Sequence, residues 1–83
     1  MQDVDFTPVV QANIPAAHFA RLCGAHRVSG FHWLRGRQPR GLYRDRVIQR
    51  LKLVQRALDR GSLPLPPTVR TGQFEALVQA LKA

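Results

Sequence analysis

The chain has 83 residues, enough for one small domain with a thin core. Thirteen Lys and Arg face five Asp and Glu for a formal net charge of +8, and only Lys52 and Lys82 of the thirteen are lysines. Such a surface suits polyanions, nucleic acid first and an acidic membrane second; no apolar run approaches the roughly 18 residues of a membrane span, and the single Cys23 rules out an intrachain disulfide and fits a reducing cytoplasm.

Residues 1 to 6, with no signal-peptide core, are expected to fray. Thr7-Pro8 is a helix-start signal, a capping residue followed by a proline that fits the first helical position. A short helix over 8–12 then offers Val9 and Val10 to a core. Asn13-Ile14-Pro15 repeats the same logic. The next helix, 15–23, places Ala16, Phe19, Ala20 and Cys23 at helical spacing, with Ala20 small where a crossing helix comes close. Gly24 suits the left-handed residue that ends a helix.

A second short helix covers 27–35 and holds Val28, Phe31, Trp33 and Leu34; Trp33 and Leu34 are expected to point inward. GRQPRGL, residues 36–42, reads as a loop. Residues 43–60 form the clearest helix, with Val47, Leu51, Val54 and Leu58 in one stripe, widened by Ile48. Arg44, Arg46, Arg50, Lys52, Arg56 and Arg60 occupy its other face, and some are expected to pair with Asp45 or Asp59. SLPLPP, residues 62–67, cannot be a helix interior because proline lacks the amide donor. A last amphipathic helix over 72–81 carries Phe74, Leu77, Val78 and Leu81 on one face.

Two helices joined by a short turn containing glycine make a helix-turn-helix, whose second helix can enter a DNA major groove. Residues 19–36, FARLCGAHRVSGFHWLRG, have this form. This stretch resembles the helix-turn-helix of the Cro and lambda-type phage repressor superfamily. That pattern is an apolar residue and Ala, a leader Leu-Gly-Val-Ser-Arg, and a helix ending Trp-x-x-Gly. Here the matching residues are Phe19-Ala20, Cys23-Gly24-Ala25-His26-Arg27 and Trp33-Leu34-Arg35-Gly36, and the loop RGRQPRGL is similar to the proline-containing tail that follows. The likeness covers about 20 residues closely and about 50 loosely. The family usually packs Val or Ile at the position of Gly30. Glycine there implies a looser recognition helix, or a shifted register in which Phe31 or Val28 takes the core role.

The resemblance implies that Arg27, Val28, Ser29 and His32 face base edges. Their chemistry suits that role: Arg27 for guanine, Val28 for a thymine methyl, Ser29 and His32 for several bases. Arg35, Arg37, Arg40 and Arg44 follow as a phosphate clamp. The amino end of the first helix of the pair, from Ala16 to His18, can meet phosphate through free amides, and His26 stands where a cap or a phosphate contact is expected. Cys23-x2-His26, with His18 and His32 nearby, has a spacing compatible with metal ligands, but the resemblance makes Cys23 a core residue. No metal or other cofactor is expected. The few carboxylates and the lack of a Gly-rich phosphate loop argue against an enzyme.

The sequence therefore predicts an all-α fold of about five helices. It divides into a DNA-binding domain over 1–61, a Pro-rich linker over 62–71 and a terminal helix over 72–83. The linker is long enough for Phe74, Leu77, Val78 and Leu81 to reach a neighbour as a dimerisation arm. The expected partners are double-stranded DNA and a second copy, with no membrane and no small-molecule ligand. By the resemblance, the function is that of a cytoplasmic transcriptional repressor, nucleoid-associated when bound, acting as a dimer on a near-palindrome. The alternative is a basic accessory or antitoxin-like module that binds a protein partner or RNA; an RNA role lacks the interleaved aromatics that stack single-stranded bases.

Overall fold

The computed structural model describes residues 4–66 and 73–82. It is all-α, with helices α1 (Thr7–Gln11), α2 (Ala16–Leu22), α3 (Arg27–Leu34), α4 (Leu42–Arg60) and α5 (Gln73–Lys82). Each boundary lies within one residue of its sequence expectation, except that the expected start of the last helix at Gly72, like linker residues 67–71, falls outside the described residues.

Helix ends explain this agreement. α1 stops where Asn13 turns left-handed at φ 56°, and the amides of Asn13 and Ile14 reach back to the carbonyls of Val10 and Val9. This is the Schellman closure, in which two amides beyond the helix satisfy two of its orphan carbonyls. The same paired bonds close α2 through Gly24 and Ala25, α3 through Gly36 and Arg37, and α4 through Gly61 and Ser62. Asn13 is thus a helix stop and not the helix cap its place before Pro15 suggested. Thr7 is not a cap either: its amide and hydroxyl both donate to Asp5 Oδ1, at 2.9 and 2.5 Å.

The core gathers Val9 from α1, Phe19, Ala20 and Cys23 from α2 and its end, Trp33 from α3, and Val47, Leu51, Val54 and Ala57 from α4. α2 packs on α3, and α4 packs on both α1 and α5. Burying such side chains contributes about 1.5–3 kcal/mol each. Ala57, not Leu58, takes the deep end of the α4 stripe, and Leu58 is half-buried.

Three further expectations are corrected. The N-terminal segment is pinned from Val4 onward. The Val4 amide donates to Gln38 Oε1 at 2.7 Å, and Gln38 Nε2 donates back to the Val4 carbonyl at 3.4 Å. Phe6 stacks on Trp33 at 6.4 Å and meets Phe19 edge-on at 6.0 Å.

Second, Gly30 neither loosens α3 nor shifts its register. It is buried, and a β-carbon there would stand 2.2 Å from the Ala16 carbonyl oxygen. Glycine is what lets α3 come this close to α2. Val28 and Phe31, the expected substitutes in the core, are 46% and 48% exposed.

Third, α5 does not reach outward. Leu77 is 1% exposed and Leu81 9%, both within their own chain. Phe74 lies under the Arg21 guanidinium at 4.1 Å, and Arg60 Nη2 donates to the Ala80 carbonyl at 2.8 Å. Leu63, in the Pro-rich stretch, is also buried. Leu77 and Leu81 are core residues, so the terminal helix is part of the same domain as 1–61.

Candidate nucleic-acid interface

α3 has one inward and one outward face. Gly30 and Trp33 point in, and Leu34 is half-buried. The helical repeat then turns Arg27, Val28, Phe31, His32 and Arg35 outward together, with half-buried Ser29 at the margin. All four residues expected to face bases lie along this face or its edge. Phe31 was missed. Its signal was present in the sequence: once Gly30 and Trp33 define the inner face, position 31 falls opposite with 27, 28 and 35. Because α3 carries apolar residues on both faces, hydrophobic periodicity alone does not separate them.

The helix is anchored from three directions. His26 is its N-cap, with Nδ1 accepting the Val28 amide at 3.3 Å. That bond requires Nδ1 to be unprotonated, and it leaves Nε2 as the nitrogen that can meet an outside acceptor. Trp33 is held between Phe6 and Tyr43, whose ring lies 6.3 Å away. From the side of α4, Arg50 Nε donates to the Leu22 carbonyl at 2.9 Å, and Arg46 Nη1 lies 3.2 Å from where a Gly24 β-carbon would stand. Both guanidiniums sit at the carboxyl end of α2, where cations complement the helix dipole. Gly24, at φ 75°, supplies the left-handed turn that no β-branched residue takes without strain.

The loop 36–41 folds beside α3 because Pro39 is buried and Gln38 grips Val4. A groove of about 230 Å³ results, lined by Ser29 and His32 on one side and by Arg37, Arg40 and Tyr43 on the other. Among the described residues no carboxylate lines it. Expected base-facing and phosphate-facing residues thus meet across one basic groove. Arg27, Arg35, Arg37 and Arg40 are exposed, and their side chains have no partner among the described residues.

Three of the residues expected to meet phosphate are partly buried. His18 turns toward α5, its ring 5.9 Å from that of Phe74, with Nδ1 buried and without a hydrogen-bond partner among the described residues; it is therefore away from the α3 face. Ala16 is half-buried against Gly30. Arg44 is half-buried in the first turn of α4. Asp59 accepts a hydrogen bond from Gln55 Nε2 at 3.0 Å, and Arg50 and Arg60 use backbone carbonyls as partners.

Cys23 is buried, and desolvation pushes its thiol up to about 11 despite Arg50 and Arg46, which favour the thiolate. A neutral buried thiol is a poor nucleophile and a poor ligand. Among the described residues no group of three His, Cys, Asp or Glu side chains is disposed to hold a metal ion, and no helix is long and apolar enough to cross a membrane. No family model, no curated protein and no solved structure matches this chain.

Proposed function

We propose that the chain binds duplex DNA sequence-specifically, with α3 as its reading helix, and acts as a small transcriptional repressor. The observation that carries this reading is the outward face of α3, Arg27, Val28, Phe31 and His32, set beside a groove whose cations are Arg37 and Arg40. A helix that is locked from behind and carries donors, acceptors and apolar groups in front is suited to base edges in the major groove. Arginines on a neighbouring loop suit the flanking phosphates, where they fix orientation and supply salt-dependent affinity. Repression follows from occupancy: two copies on a near-palindrome, heads about one helical turn apart, exclude polymerase. Their pairing does not use Leu77 and Leu81, which are committed to the core.

The test is selection from random duplexes, followed by gel shifts across a salt series. Arg27→Ala relaxes the preference at particular base positions. Arg40→Ala weakens all duplexes alike and lowers the salt slope by about one. Equal binding to every duplex, or tighter binding to single-stranded RNA, would overturn the reading.

A further inference from the structure

A second groove, of about 480 Å³, lies between α4 and α5 at the carboxyl end of α2. Its floor is apolar: Leu22, Leu53, Phe74 and Val78 line it, and each is only half-buried. Its rim is cationic, formed by Arg21, Arg50 and Lys82, and among the described residues no carboxylate lines it. We infer that this groove docks an acidic amphipathic helix of a protein partner. The inference is independent of the DNA reading, because the groove shares no residue with α3 or the loop 36–41.

Three observations select this occupant. Phe74, Val78 and Lys82 repeat at every fourth residue along α5, so the groove runs about 12 Å along a helix axis. That length and form match an apolar stripe at i, i+3, i+4 and i+7. The cations also keep open donors. The guanidinium of exposed Arg21 lies 4.1 Å from the Phe74 ring centroid with no hydrogen-bond partner among the described residues, and Arg50 spends Nε on Leu22 but retains its two terminal nitrogens. Flanking carboxylates of a partner satisfy both. Finally, a second copy fits poorly, since an isologous pairing sets the same three cations against themselves on chains of charge +8. Nucleic acid fits poorly as well, having no use for an apolar floor.

The test uses the full chain and a fluorescein-labelled helical peptide of about 15 residues with Leu at i, i+3, i+4 and i+7 and Glu on the flanks. Two controls replace Glu by Lys, or Leu by Ser. The Glu-flanked, Leu-faced peptide binds, and both controls do not. Arg21→Glu and Lys82→Glu, at exposed positions, each weaken binding about fivefold with the helical circular dichroism unchanged, and together they switch the preference to the Lys-flanked peptide. Amide shifts on titration cluster at Leu53 and Val78. The inference is overturned by any of four results: no saturation at millimolar peptide, equal binding of the Ser-faced peptide, indifference to both charge reversals, or a free chain that sediments as a dimer dissociated by Arg21→Glu.

Discussion

Gly30 and Ala20 meet across the α2–α3 contact with no room between them: a β-carbon on Gly30 would lie 2.9 Å from that of Ala20. Two effects oppose each other at this position. Alanine gains about 1 kcal/mol over glycine in a helix interior. Overpacking costs about 1–3 kcal/mol or more when the obstacle cannot swing aside. Here the obstacles are the Ala20 β-carbon and the Ala16 backbone, so overpacking wins. Gly30→Ala is expected to lower stability in urea unfolding and to weaken duplex binding through displacement of α3. A variant of higher stability would show that the two helices separate freely.

Phe31 is expected to separate binding from folding. With 48% of its surface exposed, Phe31→Ala shifts the unfolding free energy by no more than about 0.5 kcal/mol. The loss of an apolar group from the reading face costs about 1 kcal/mol or more in duplex affinity. Unchanged affinity for the selected operator would move the reading face elsewhere.

Leu77→Ala removes a fully buried side chain and should cost about 2–5 kcal/mol, a large share of a small domain's stability. The measurement is thermal unfolding alongside sedimentation. A core residue lowers the melting temperature and leaves the association state of the folded chain unchanged. A dissociated but equally stable protein would restore α5 as a reaching arm.

Cys23 gives stability a dependence on alkaline pH. Its thiol, ordinarily near 9.0, is held near 11 in the fold. Between these values the unfolded chain has released the proton and the native chain retains it. The native state then binds more protons, so stability falls as pH rises from about 9 to about 11. Subtracting the curve for Cys23→Ala isolates this part, and a flat difference would refute it. At pH 8 the native thiol should react far more slowly with an aromatic disulfide reagent than free cysteine does.

Much of the fold was legible because its punctuation is local. Pro8 lies in the first turn of α1 and Pro15 at the N-cap of α2, glycines at 24, 36 and 61 end three helices, and apolar residues at steps of three and four mark α4. What stayed hidden depends on partners distant in the chain. The role of Gly30 is set by the backbone of Ala16, fourteen residues earlier, which no local pattern reveals. The stripe of α5 said that Leu77 must be covered, not that its own chain supplies the cover. His18 read as an outward residue near a helix start, but α5, more than fifty residues later, draws its ring toward Phe74.

The burial of Leu77 and Leu81 also bears on how the protein is made. Helix α3 is complete by residue 34, yet the core that supports it closes only when residues 73–82 are in place. A ribosome that stops early releases a chain with a complete α3 sequence and an open core. Such a fragment is a substrate for proteases, and under the proposed function it is no rival for DNA.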